Sequence, residues 1–197
     1  MASFRKNIRS VTRAKAQAAI NQSGAGWKKG DLILAADTAV IDPVRAGDPE
    51  GENMHMILGK PANVSQAEEM LLRLRDRTHL VCTSITVLDP VEGMIGEATE
   101  FSTVAMRNYS LDEMKEYISS RDPFDKAGGY AIQHSTFRPV QKVNGCYPNV
   151  VGLPVCQVIR LVAEFGRYPK NKEMESCKKS EIPCWIYRCA FQRVGND

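Results

Sequence analysis

A single α/β domain, built on a mixed β-sheet flanked by helices, is what this 197-residue sequence predicts. Three observations carry that expectation. Short apolar runs bounded by turn residues suit buried strands, Ser-x-x-Glu spacings mark the starts of amphipathic helices, and the two kinds of segment alternate along the chain. The length fits one domain on the usual scale of about 100–200 residues. With 43% hydrophobic and 25% charged residues, the composition is that of a soluble globular protein. The net charge of +3 is too small to demand nucleic acid. No apolar run approaches the roughly 20 residues of a membrane-spanning helix, and the N-terminus lacks the apolar core of a secretory signal. A soluble, cytoplasmic protein is expected, with neither nucleic acid nor membrane as a partner.

The first element is a helix over MASFRKNIRSVTRAKAQAAI, with Phe4, Ile8, Val11 and Lys15 on one stripe that should face inward. An organellar transit peptide has a similar basic composition, but nothing resembling a cleavage site or linker follows, so the helix is the preferred reading. After the loop NQSGAGWKKGD, residues 32–36 (LILAA) read as a strand buried on both faces, with Asp37 and Thr38 at its C-terminal end. DPVRAGDPEGENMH is a Gly- and Pro-rich excursion of the extended-hairpin kind. Ser65 to Glu68 has capping-box spacing and opens a helix through Met70, Leu71 and Leu74.

LVCTSITVL then reads as a strand, as do residues 101–106. A second capping box at Ser110 to Glu113 opens a helix through Tyr117 and Ile118. Residues 130–133 and 137–143 read as strands, with Asn144-Gly145 as a turn. Pro154 begins a last helix, whose stripe of Val155, Val158, Ile159, Val162 and Phe165 ends at Gly166. The domain is therefore expected over 1–166. Residues 167–197 form an extension whose aromatic part, Trp185 to Phe191, either docks on the body or is poorly ordered; docking is preferred.

Six cysteines, at 82, 146, 156, 177, 184 and 189, include no C-x-x-C pair, so a zinc ribbon is unsupported. Cys82 sits in an apolar run as a small hydrophobe. The tail cysteines leave a disulfide or a metal open, with free thiols preferred in a reducing compartment.

The chemistry gathers around DPFDKAGGYAIQ, residues 122–133. The glycine pair makes a tight turn or clears space for a bound group, with Asp125, Lys126 and Gln133 around it. Asp37, at the end of a buried strand, is where open α/β sheets place a ligand crevice. Lys15 on an inward stripe calls for an anionic partner, and Lys60 in Gly59-Lys60-Pro61 is restricted by the proline that follows it. One acid and several constrained lysines suggest polyphosphate and a hydrolytic base.

The ordered motifs A-K-A (14–16), A-D-T (36–38), G-K-P (59–61), D-K-A-G-G-Y-A-I-Q (125–133) and N-V-V-G-L-P (149–154) closely resemble the Maf family of nucleoside triphosphate pyrophosphatases, over residues 10–165. The resemblance implies an elongated sheet of the inosine triphosphatase superfold, with nucleotide in its cleft and a homodimer as one open assembly. It implies hydrolysis of a non-standard or pyrimidine nucleoside triphosphate to monophosphate and pyrophosphate, with a divalent cation, Mg or Mn. By resemblance, Asp37 is the proton acceptor, Lys15 and Lys60 contact phosphate, and Thr38 and Gln133 select the base. Gly128 and Gly129 then let the chain pass close to the nucleotide, with Lys126 facing it.

Family members usually carry an earlier strand and an S-x-S-P-R-R loop, and a further acid before the helix containing Lys15; neither has a counterpart in the sequence as it stands. The sheet is therefore expected to be one strand short and the site open on that side. The rival reading is a catalytically weakened relative, serving as a nucleotide-binding or cell-division-linked protein-interaction module.

Overall fold

The basic N-terminal segment forms helix α1 (Ala2–Gln22). Its inward face is Ile8, Thr12 and Ala16, four residues apart. Val11 and Lys15, expected inward, are exposed, because the stripe runs one position later than the apolar letters suggest. Arg13 explains part of the basic composition: its guanidinium makes two 3.0 Å bonds to Glu97. The computed structural model describes residues 2–22, 26–43 and 55–166, with side chains from Asn7 onward in α1 and none described for Pro43 and His55. The extension over 167–197, with its three cysteines and aromatic cluster, lies outside the described residues, as does most of the loop before β2.

Five strands form one sheet in the order β2-β1-β3-β4-β5. They are β1 (Ile33–Pro43), β2 (His55–Leu58), β3 (Thr78–Leu88), β4 (Ile95–Met106) and β5 (Val140–Asn144). β1 pairs antiparallel with β2, Val40 opposite Leu58, and β4 pairs antiparallel with β5, Val104 opposite Val143. β1 is longer than the LILAA run, so Asp37 lies in mid-strand rather than at its end. Nor is the run buried on both faces: Ile33 and Ala35 point inward while Leu34 is exposed, the period-2 alternation of a half-buried strand.

The helices are α2 (Val64–Leu74), α3 (Leu111–Ser119), α4 (Tyr147–Val151) and α5 (Val155–Glu164). The first Ser-x-x-Glu spacing misplaces the start of α2 by two residues. Asn63 is the cap, its side chain accepting from the Gln66 amide at 2.9 Å. At α3 the capping box forms as expected, Ser110 accepting from the Glu113 amide while Glu113 accepts from that of Ser110. Arg107 also holds Glu113, and its hydrogen bond keeps that carboxyl down at about 2. Gly166, with φ +69°, follows α5 as expected. No helix among the described residues is long and apolar enough to cross a membrane.

The described residues gather into two compact units, whose boundaries fall within β1, β3 and β4. The first draws on Met1–Asp37, Thr83–Glu100 and the chain from Gly152. Ala16, Ile33, Ala35 and Leu88 pack in it, as do Ile85, Val87, Ala98 and Leu161. Thr12, buried on α1, accepts from Thr86 Oγ1 at 2.9 Å and donates to the Arg9 carbonyl, so its hydroxyl is satisfied inside the core.

The second unit is Thr38–Cys82 with Phe101–Val151. Its core includes Leu71, Val104, Tyr109, Tyr117, Tyr130 and Phe137. Tyr109 Oη donates to the Leu71 carbonyl at 2.6 Å, and Tyr117 stacks on Phe137 with ring centroids 4.4 Å apart. Buried Asp42 accepts from Arg73 at 2.5 Å and from Arg77 at 3.3 Å. Asn149, of N-V-V-G-L-P, donates to the Val81 carbonyl and to Ser102.

Candidate active site

Helix α1 and strand β1 meet at Lys15 and Asp37, whose ammonium and carboxylate form an ion pair through Asp37 Oδ1. The pair is half open to solvent, the Lys15 side chain 51% and the Asp37 side chain 31% exposed. Lys15 thus meets the requirement for an anionic partner from the margin of the helix rather than from its buried face. Oδ2 of Asp37 has no protein partner among the described residues. The chain therefore offers one cation and one carboxylate oxygen side by side, both within reach of a ligand.

The second unit holds the other expected residues. Thr38 follows Asp37 along β1 and is partly buried. Lys60 lies exposed in the G-K-P turn, and the carbonyl of Gly59 there accepts the amide of Gly128 at 2.9 Å. That bond ties the G-K-P turn to the D-K-A-G-G segment. Lys126 Nζ lies 2.5 Å from Asp125 and 3.4 Å from Asp122. The hydrogen bond with Asp125 raises the Lys126 pKa and lowers that of Asp125, to which the nearby Lys60 charge also contributes. Lys126 and the two aspartates are accordingly one ion-pair cluster, with Lys60 near enough to act on Asp125. Gln133 is exposed at the far end of the same segment.

Gly128 and Gly129 do make the tight turn, at φ +72° and +70°, a region that favours glycine. Their missing side chains do not clear space for a ligand, however. A Cβ on Gly128 would come within 3.0 to 3.2 Å of the Val40 side chain, and one on Gly129 within 3.7 Å of Pro61. Protein fills that space. Residues 130–133, expected as a strand, form none: Tyr130 keeps an extended backbone (φ −141°, ψ 148°) with its hydroxyl 2.8 Å from His79 Nε2, and the chain turns at residues 132 and 133. Phe137 to Pro139 precede the strand as well, and only residues 140–144 pair with β4.

Three residues near this segment gave no functional signal in the sequence. Tyr117 reads there only as part of an apolar helix face, Asp122 as the start of the glycine-bearing segment, and His79 as the residue just ahead of the LVCTSITVL strand. The Tyr117 hydroxyl in fact donates to Asp122 Oδ2 and accepts from the Ala131 amide, each at 2.9 Å. A hydroxyl's contacts across 5 and 14 residues leave no periodic trace.

Comparison with known proteins agrees with these motifs. A family model described as Maf-like protein matches residues 3–165. The chain belongs to the Maf-like protein family. A Maf-like relative from Dehalococcoides mccartyi, named dTTP/UTP pyrophosphatase, is 40% identical over 163 residues, covering 83% of this chain and 68% of the relative. One of the same name from Caldicellulosiruptor bescii is 35% identical over 164 residues, 83% of this chain and 76% of its own. Another, from Thermomicrobium roseum, is 39% identical over 142 residues, 72% of this chain and 59% of its own. The Maf-like match takes in Lys15, Asp37, Thr38, Lys60, Lys126 and Gln133 together.

Proposed function

We propose that this chain hydrolyses dTTP and UTP to the nucleoside monophosphate and pyrophosphate. The observation that carries the reading is the Lys15–Asp37 pair, a base and a phosphate-binding cation held in contact at a solvent-accessible position. The names of the three relatives support the substrate class.

In this reading the incoming triphosphate competes with Asp37 for the Lys15 ammonium and releases the carboxylate. Asp37 then takes a proton from the water whose oxygen attacks the α-phosphorus. The bond from that phosphorus to the α,β-bridging oxygen breaks, and the electron pair leaves with pyrophosphate. Lys60 and Lys126 meet the negative charge gathering on the leaving group, Lys126 exchanging its aspartate partners for phosphate oxygens. Thr38 and Gln133 read the base edge, the Gln133 amide able both to donate and to accept.

A divalent cation, Mg or Mn, fits this donor set. Among the described residues no three His, Cys, Asp or Glu side chains converge, but magnesium bound with a nucleotide needs only one or two carboxylates beside the phosphates. Asp37 Oδ2 would serve. Bound there, the ion would neutralise triphosphate charge.

The test is pyrophosphate release from a panel of dTTP, UTP, CTP, ATP and GTP with magnesium or manganese. Thymine and uracil triphosphates should lead, with loss on chelation and recovery on adding back the metal. Release no faster than that of Asp37→Asn, with dTTP still bound, would leave a nucleotide-binding module in place of an enzyme.

A further inference from the structure

The segment over 122–133 carries Lys126 near one end and Gln133 at the other, with two positive-φ glycines between them. Its own backbone bonds are local: the Lys126 amide to the Pro123 carbonyl, Gly129 to Lys126 and His134 to Ala131. None of them spans the glycines from Asp122 to Ala131. One side chain does. The hydroxyl of Tyr117, projecting from α3, donates to Asp122 Oδ2 and accepts from the Ala131 amide, so a single oxygen joins the two limbs of the segment. The other oxygen of Asp122 lies 3.4 Å from Lys126 Nζ. The chain of contacts runs from the Ala131 amide through Tyr117 and Asp122 to the Lys126 ammonium.

The position of that hydroxyl is itself fixed. Tyr117 is 2% exposed, its ring stacked on Phe137 and edge-on to His134 at 4.8 Å. A ring held on both sides has little freedom to follow the segment, so the segment follows the ring. Both kinds of hydrogen bond a phenol can make are in use, and neither is needed to keep the aromatic ring packed.

We propose that Tyr117 is a positioning residue for the nucleotide site, its hydroxyl setting the separation of Lys126 from Gln133 and hence the fit of a bound triphosphate between its phosphate and base contacts. The inference rests on the reading of Lys126 and Gln133 as substrate contacts. Tyr117 touches no substrate itself. It acts through Asp122 on one limb and through the Ala131 backbone on the other, two residues before Gln133.

Tyr117→Phe tests this while keeping the ring. KM for dTTP should rise by about 5- to 20-fold as ground-state fit is lost, with a smaller fall in kcat because the displaced Lys126 also meets the leaving-group charge, Asp37 being untouched. Amide exchange over 122–133 should quicken in the same variant, a readout independent of activity. Asp122→Asn keeps an acceptor for the hydroxyl but drops the charge beside Lys126, and should give a smaller rise in KM. In a double-mutant cycle, Tyr117→Phe should add little to Lys126→Ala combined with Gln133→Ala, because the contacts it positions are gone. Faster exchange with an unchanged KM, while Lys126→Ala and Gln133→Ala each raise KM, would reduce Tyr117 to a structural role and overturn the proposal. Wild-type KM in both Lys126→Ala and Gln133→Ala would instead overturn the reading of those two residues, and the positioning role with it.

Discussion

The amide of Gly128 donates to the carbonyl of Gly59 at 2.9 Å, joining the turn that bears Lys60 to the segment that bears Lys126. The join is possible only because Gly128 sits at φ +72° with its Cα against Val40. Gly128→Ala should therefore cost about 1–3 kcal/mol through backbone strain and crowding. Gly59→Ala is the control, since its Cβ would meet nothing within 4 Å. Urea denaturation of both variants checks the contrast. Equal stability would mean that the turn relaxes without loss.

Asp37→Asn keeps the shape of the side chain and removes the carboxylate proposed as proton acceptor. Turnover of dTTP should fall by about 10²–10⁴-fold with nucleotide binding largely kept. Single-turnover assays with equilibrium binding of dTTP separate the two quantities. Unchanged turnover would remove Asp37 from the reaction.

Lys60→Ala removes only the cation proposed to meet phosphate. It should weaken binding of dTTP more than of thymidine, by roughly tenfold or more in the ratio of Kd values. Calorimetric titration with each ligand decides it, equal weakening counting against a phosphate role.

Burial pushes the His79 imidazole down to about 4, with the charge on Arg77 adding to the effect. Above a pH of about 6.5 the ring is neutral folded and unfolded alike. As pH falls from about 6.5 towards 4, the unfolded chain takes up a proton that the fold refuses, so up to about 3 kcal/mol of stability is lost across that window. His79→Gln should flatten this part of the stability profile, measured as urea midpoints at successive pH values. An identical slope in the variant would assign the acid sensitivity elsewhere.

Asp42 is fully buried between Arg73 and Arg77. Asp42→Ala leaves two guanidinium groups without their anion and should cost about 2–4 kcal/mol, somewhat relieved because both arginines reach solvent. Thermal melts of this variant, beside one that also carries Arg73→Leu, measure that residual charge penalty: the double variant should melt higher than the single one.

Much of the fold was legible where local chemistry decides structure. The Ser110–Glu113 box, the glycine after α5 and the hydrophobic length of β3 follow from neighbours within a few residues. What the sequence obscured depends on distant partners. β1 runs on through Asp37 and Thr38 because β2 pairs with its far half, and residues 130–133 form no strand because the chain turns at 132 and 133, directly after the extended Tyr130. An anion for Lys15 was expected from an inward stripe, whereas its side chain is half exposed, and that the anion is Asp37 depends on β1 lying beside α1. The hydroxyl of Tyr117 was not, because an aromatic letter on a helix face carries no mark of what its oxygen touches.

Tyr109, Tyr117 and Tyr130 share one core, and burial raises the phenol pKa of all three, Asp122 adding to the rise at Tyr117. Hydroxide cannot ionise them while that core stays closed. Stability from these groups is complete below their unfolded value of about 10 and declines as pH climbs above it, because only the opened chain can release the protons. Tyrosinate absorbance from the trio should then emerge in a single cooperative step with the collapse of the core instead of as three separate titrations. The protein thus contains its own optical gauge of alkaline unfolding, and half of its six tyrosines read it.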